Sequence, residues 1–591
     1  MAPPVSYRVS MSRPHSHLFE VEAHFPPSGE ELVVALPVWT PGSYLVREYA
    51  RHVQDLTAVG MGDQPLTLSR IDKRSFRIPA GNQAVRLRYR VYANELTVRT
   101  SHLDGSHGYF NGATLFFYSE AMRQRQHRVF VHAPPGWESF SALRRQGNEF
   151  IAGDYDELID SPFEIGPHTA LHFVAAGVPH QVVLWGDPLV DGEKLCGDLQ
   201  RVCETEAQLF GSLPMTNYLF LVYASDKGRG GLEHKASTAL IFPRQAFGNS
   251  KGWEDFLTLA AHEYFHLWNI KRIKPKALVP FDYGQESYTR LLWFFEGATS
   301  YYDNLMVRRA GLMTASRYLT RAGETLTALQ TTPGRKVQTL AEASLLSWIK
   351  HYRPDENSPN SAISYYLKGE VVALLLDLTL RRATGDAKSL DDLMRLLWQR
   401  YGDERGVPED GIEEAAVSLG GEPMKQFFDA ALRSTEELNL SVLAHVGLEA
   451  RFRVRESGAD KGGSPPRLKA GELKSKGWLG LITRGSSTVS SVLEGSPAQQ
   501  GGLYPDDEIV ALDGYKVDAA GLISRCEDKR PGEAARLCVF RREKLIEVQL
   551  TLGAKPCDAV YLARVVGPTE QQRSSYRAWL GDPWDQEEPS P

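Results

Sequence analysis

Hydrophobic and polar positions change their period twice along the chain. Up to about residue 175, apolar and polar residues alternate in short runs, at 6–10, 18–24, 31–37 and 84–92 among others, with turn residues between them. Alternation with period two predicts strands that bury one face, and the run of them predicts a β-sandwich-like domain over 1–175. From about residue 187 helical patterns surround two apolar strands, 218–223 and 238–242, and amphipathic helices then dominate to about 435. The stretch 456–466, ESGADKGGSPP, is polar and rich in Gly and Pro. It predicts a linker that buries no core. Short strands return over about 475–555. The tail then opens a last helix on the capping box from Thr569 to Gln572,. Tyr576, Trp579 and Leu580 share one face of that helix, so it is expected to pack back onto a domain.

At 591 residues, with roughly 100–200 residues to a domain, the chain calls for three or four. The formal charge of −6 is small for this size, and a nucleic-acid or anionic-membrane partner would select a basic surface. Local basic runs such as Lys271-Arg272-Ile273-Lys274 read as solvated helix ends. Cys196, Cys203, Cys526, Cys538 and Cys557 are odd in number and without a repeated spacing, which excludes a disulfide framework and a cysteine zinc site,. Cys196 and Cys203 are expected as free thiols in a helix. The sequence shows neither a basic start followed by an apolar core nor about 18 consecutive apolar residues. No signal peptide and no membrane span are therefore expected, and a cytoplasmic location fits.

The chemistry concentrates in 253–269, WEDFLTLAAHEYFHLWN. At 100° per residue Trp253, Phe256, Leu257, Ala260, Tyr264, Leu267 and Trp268 fall on one side. His262 and His266 fall opposite, one turn apart, so both imidazoles can reach one ion while the other face holds the helix in a core. This is the HExxH arrangement of a zinc site, with Glu263 on the flank where it can act as a base without ligating. A second helix is predicted over 291–307, with Leu291, Phe294, Phe295, Ala298, Tyr302, Leu305 and Met306 as its stripe. Glu296 lies off the stripe, and a carboxylate among such neighbours is costly unless paired or bound to metal. Three protein ligands, His262, His266 and Glu296, would leave one position for a water whose pKa zinc lowers to about 7. Glu263 would take the proton of that water.

With these residues in view, the chain resembles the glycyl aminopeptidase family of gluzincin-type zinc peptidases that carry a PDZ domain. The resemblance covers nearly the whole length. It rests on Pro41-Gly42-Ser43-Tyr44 with Arg47, Phe110-Asn111-Gly112, Gly230-Gly231-Leu232-Glu233-His234, Glu296-Gly297-Ala298-Thr299 and the stretch 353–369. It implies one Zn2+ per chain and removal of small N-terminal residues, Gly or Ala, from peptides with a free N-terminus. The chain is more distantly similar to the alanyl aminopeptidase superfamily. Its Gly-x-x-Glu segment corresponds to Gly230, Gly231 and Glu233, which implies substrate binding there, with Glu233 gripping the α-amine. An asparagine follows that glutamate in the superfamily and His234 stands in its place here. The Tyr-x-Lys-Gly motif corresponds to Tyr366-Leu367-Lys368-Gly369, which implies Tyr366 as donor to the oxyanion, with Tyr365 as its rival. Residues 478–517 resemble a PDZ domain, with Trp478-Leu479-Gly480-Leu481 as its carboxylate-binding loop, so a peptide C-terminus is the second partner implied.

The expected architecture is thus multidomain α+β. It comprises a β domain at 1–175, a thermolysin-like catalytic domain with a mostly helical extension at 176–455, a PDZ domain at 475–556 and a tail with one helix at 557–591. Two other functions use the same residues: a zinc endopeptidase with PDZ-mediated substrate recruitment, and a PDZ-led binding protein with a vestigial zinc site.

Overall fold

The alternating runs fold as strands. In the computed structural model, which describes residues 2–467, 476–485 and 487–584, they occupy Val5–Ser10, Leu18–Phe25, Glu31–Ala35 and Val85–Tyr92. Position 475 and the last seven residues of the tail lie outside the described residues. Leu18–Phe25 buries every second side chain, as period two requires,. Val5–Ser10 lies inside an eight-stranded sheet, parallel to His127–His132 on one side and antiparallel to Leu18–Phe25 on the other. Its core is aromatic: the Tyr7 hydroxyl donates to Phe117 O at 2.8 Å, and Phe110 stacks on Phe163 at 4.8 Å.

A five-stranded mixed sheet follows, in the order Thr169–Ala175, Val178–Trp185, Tyr218–Ser225, Ser237–Pro243, Gly230–Glu233. Tyr218–Ser225 is buried on both faces, the signature of an internal parallel strand,. Gly230–Glu233 forms the edge, antiparallel to Ser237–Pro243, and sets Glu233 opposite Thr238. The helix expected over 253–269 begins at Ser250, where Asn249 caps it by accepting from Gly252 N–H, and stops at Phe265,. It buries Trp253, Phe256, Leu257, Ala260 and Tyr264, as the 3.6-residue period demands,. These parts belong to one compact unit, Met1–Tyr288 with Leu397–Pro408.

The second unit, Thr289–Leu396 with Glu409–Pro591, is helical first and β-rich after. The helix expected over 291–307 is resolved into a π-helical turn, Trp293–Ala298, and an α-helix, Thr299–Arg309. All six residues of the turn are buried, so the stripe predicted at constant 100° spacing does not hold there. The turn packs closely on backbone: a Cβ on Gly297 would stand 2.4 Å from Gly369 Cα, in the helix Tyr365–Thr384. The stretch 456–466 buries no apolar side chain, as expected of a linker, but it is tied to its neighbours. Asp460 accepts from the N–H groups of Glu456 and Gly462 and pairs with Arg453, and Gly463 N–H donates to Val560 O at 2.7 Å. Lacking side chains, Gly462 and Gly463 lie against the helix Ala315–Gln330, where a Cβ on Gly463 would meet Thr320 O at 2.3 Å. Beyond it, Leu481–Arg484, Thr488–Val492, Glu508–Leu512, Ala534–Arg541 and Lys544–Thr551 form an antiparallel sheet around its own core. The tail helix Glu570–Leu580 starts on the expected capping box and buries Tyr576, Trp579 and Leu580. Trp579 Nε1 donates to the Tyr301 hydroxyl at 2.9 Å. All five cysteines are free, Cys203 buried and Cys196 half-buried in the helix Gly192–Phe210.

Candidate metal centre

In the first unit, the HExxH helix ends where it presents its ligand-type side chains. The His262 and His266 rings meet edge to face, centroids 4.7 Å apart at 89°. His266 lies 2.7 Å through Nδ1 from the carbonyl oxygen of Asn269, which can only accept, so the proton is on Nδ1 and Nε2 keeps its lone pair,. Glu263 lies beside the edge strand, against Gly231: a Cβ there would stand 2.2 Å from Glu263 Oε1. Oxygens of Glu233 and Glu263 and a ring nitrogen of His266 lie within 4.8 Å of one another, all three residues buried. Glu233 Oε1 has no hydrogen-bond partner among the described residues, and a buried acceptor left bare marks a place for a donor. Gly42, at φ +91°, lets the 41–44 turn approach that carboxylate, since a Cβ would stand 2.5 Å from Glu233 Oε1. Gly230 and Gly231 supply the rest of the edge, and Arg99 NH2 donates to Gly231 O at 3.1 Å.

Several residues here were not singled out from the sequence. Asp160 lies 3.2 Å from His234 Nδ1 and pairs with Lys271. Burial alone would raise its carboxyl, but the Lys271 ammonium and His234 hold it well below the usual carboxylate range. His234 therefore anchors the loop after Glu233. The basic run at 271–274 is not a solvated helix end: Lys271 and Lys274 are buried, on Asp160 and Glu404 respectively. Only the unusual density of charge at 271–274 hinted at this.

In the second unit, the π-turn holds Glu296 buried. Tyr366 stands in the first turn of the next long helix, Tyr365–Thr384, which Ser364 caps. Its hydroxyl lies 3.3 Å from that of Tyr352, and its ring lies against Tyr365 and His351. Burial, with the Glu296 carboxylate next in effect, pushes the Tyr366 phenol well above its ordinary pKa, so it stays protonated. Tyr365 is fully buried while Tyr366 keeps some exposure. The contact of Gly297 with Gly369 explains why both motifs carry a glycine,.

Two imidazoles, one with its second nitrogen fixed by a carbonyl, and a buried carboxylate make a donor set that suits zinc. The comparisons agree. Residues 6–167 match the model of the peptidase M61 N-terminal domain and residues 255–372 that of the M61 glycyl aminopeptidase. A crystal structure of an aminopeptidase N family protein from Idiomarina loihiensis is 31% identical, with 98% of this chain and 100% of that chain aligned at a TM-score of 0.92. Two probable periplasmic DegP-like serine endoproteases also match. One, from Hahella chejuensis, is 24% identical over 26% of this chain, and one, from Pseudomonas savastanoi pv. phaseolicola, is 32% identical over 19%. The chain spans a third or less of these curated relatives, 33% and 26% of their lengths. Fold and comparisons together define the class, a zinc metallopeptidase of the aminopeptidase kind. Within that class the chain belongs to the M61 glycyl aminopeptidase family.

Proposed function

We propose that the protein removes small N-terminal residues, Gly or Ala, from peptides, with one catalytic zinc held by His262, His266 and Glu296. The observation that carries the reading is Glu233: a buried carboxylate with a bare oxygen, beside Glu263 and His266. A free α-ammonium supplies the donor that oxygen lacks, and an endopeptidase has no use for it. Zinc bound there supplies Lewis-acid chemistry to the substrate carbonyl. Glu263 takes a proton from the attacking water on its carboxylate and returns it to the leaving nitrogen. Tyr366, protonated, donates to the carbonyl oxygen as charge grows on it, and its exposure favours it over the enclosed Tyr365. The backbone of Gly230 and Gly231 borders the substrate.

We divide the chain into a β-sandwich-like domain at 1–175, a thermolysin-like domain at 176–455, a PDZ domain at 475–556 and a tail at 557–591. Trp478, Leu481, Ile482, Leu522 and Ile523 border a groove of about 300 Å³ between the expected carboxylate loop and a helix, and it would receive a peptide C-terminus,. Five free thiols fit a reducing cytoplasm,. No described helix is long and apolar enough to cross a membrane.

The test is a panel of Gly- and Ala-amides, free and N-acetylated, with zinc measured on each protein. Glu263→Gln should keep the metal and lose most turnover. Glu233→Ala should keep the metal and lose roughly 30-fold to several thousand-fold in kcat/KM on free amines, as for an ion pair worth about 2–5 kcal/mol. Equal cleavage of free and N-acetylated substrates by the wild type would replace this reading with the endopeptidase.

A further inference from the structure

A separate histidine–carboxylate cluster lies in the first unit, at the hairpin of Ser101–Leu103 and Gly108–Phe110. His102 stands on its first strand, and Asp104 and His107 on its turn. The hairpin pairs with Phe163–Gly166, which sets Glu164 opposite Tyr109. Glu164 is buried and its oxygens are occupied: Oε1 lies 2.8 Å from His107 Nδ1 and 2.6 Å from His168 Nε2, and Oε2 accepts from the Tyr223 hydroxyl at 3.0 Å. An ionised carboxylate only accepts, so His107 carries a proton on Nδ1, and the neutral ring keeps a lone pair on Nε2. That Nε2 is fully buried and has no hydrogen-bond partner among the described residues. The ring is held in place by stacking on Trp185, centroids 4.3 Å apart.

Asp104 shows the same division of labour. Its Oδ1 accepts from Ser106 N–H at 2.7 Å, Ser106 Oγ at 2.6 Å and His107 N–H at 3.2 Å. Its Oδ2 is left to face His102 Nε2, 3.2 Å away. Ligand atoms of His102, Asp104 and His107 all lie within 4.8 Å of one another. A carboxylate that fixes one ring nitrogen of a histidine and leaves the other bare, on a residue clustered with a further His and Asp, matches the second layer of a metal site,. A purely hydrogen-bonded cluster would place a donor on that nitrogen. Asp104 keeps about a third of its side chain exposed, which leaves an entry and room for water.

We propose that His102, Asp104 and His107 form a second site, for a first-row divalent cation of the zinc type, with Glu164 orienting His107. Two imidazoles and a carboxylate with a water complete the four positions such an ion prefers. The ion fastens the 104–107 turn, so its role is structural. The inference does not depend on the proposed peptidase site.

The experiment uses full-length protein, stripped by chelation, reloaded with Zn2+, freed of excess by gel filtration and assayed for bound metal. Asp104→Asn keeps the Oδ1 acceptor of the turn and removes the charged ligand oxygen, and His102→Gln removes a ligand on the neighbouring strand. Each variant is made in the wild type and in a His262→Ala/His266→Ala background. Each should bind one equivalent less than its parent in both backgrounds, and should lose the rise in melting temperature that the parent gains on Zn2+ addition after its tighter equivalent. Metal counts unchanged by both variants in both backgrounds would overturn the proposal. Failure of the HExxH assignment reads separately, as no difference between the wild type and the His262→Ala/His266→Ala protein.

Discussion

Gly42 and Gly231 lie against the two carboxylates of the first unit, and the first contact can be tested by a single methyl group. Gly42 combines a left-handed backbone, φ +91°, with an approach that would bring a Cβ to 2.5 Å from Glu233 Oε1. Gly42→Ala therefore adds roughly 1–2 kcal/mol of backbone strain and pushes the Glu233 carboxylate aside. On Gly-amides it should lower kcat/KM by at least tenfold with zinc retained, while the slow cleavage of N-acetylated substrates stays the same. An equal fall on both kinds of substrate would mean that the turn supports the whole unit rather than Glu233. The sequence marked 41–44 only as a motif, because a contact with Glu233 through space leaves no period or spacing to read. His234 shows the converse: its type departs from the superfamily's asparagine, and its partner Asp160 explains it.

At the scale of elements, what could be read followed from regularity. The HExxH helix buries the face that the 100° spacing assigns, and Glu570–Leu580 starts on the capping box seen at Thr569. The Glu296 segment escaped because a π-turn widens the helix by one residue and shifts every later side chain relative to that spacing,. The backbone it packs against lies on another helix, at Gly369. Gly297→Ala would place a Cβ 2.4 Å from backbone that cannot swing away, so overpacking should destabilise the protein by about 1–3 kcal/mol. Calorimetry should show a lowered melting transition, together with weaker zinc retention. A melting profile identical to wild type would show that the two helices separate without penalty. The 456–466 linker escaped for a related reason: glycine reads as freedom, and here it permits close packing on Ala315–Gln330.

For the whole molecule, the composition and the change of period told β-rich from helical regions. They could not show that Leu397–Pro408 returns to the first unit, because this depends on pairings such as Lys274 with Glu404. The same kind of burial predicts acid sensitivity. Burial lowers the pKa of His127 and of His180 to about 4, against about 6.5 in an unfolded chain. Between these values the unfolded chain binds more protons than the folded one, so stability falls as pH drops from 6.5 towards 4. Each imidazole contributes up to about 3 kcal/mol to that loss. Urea unfolding at a series of pH values should show the decline, and His127→Gln or His180→Gln should flatten it. An unchanged slope in both would place the sensitivity elsewhere. The contact of Trp579 with Tyr301 has a different consequence. A ribosome delivers Tyr301, on the helix that continues from Glu296, long before Trp579, with a sequence separation of 278 residues. The nascent chain must hold that helix without its partner while the next 278 residues are made.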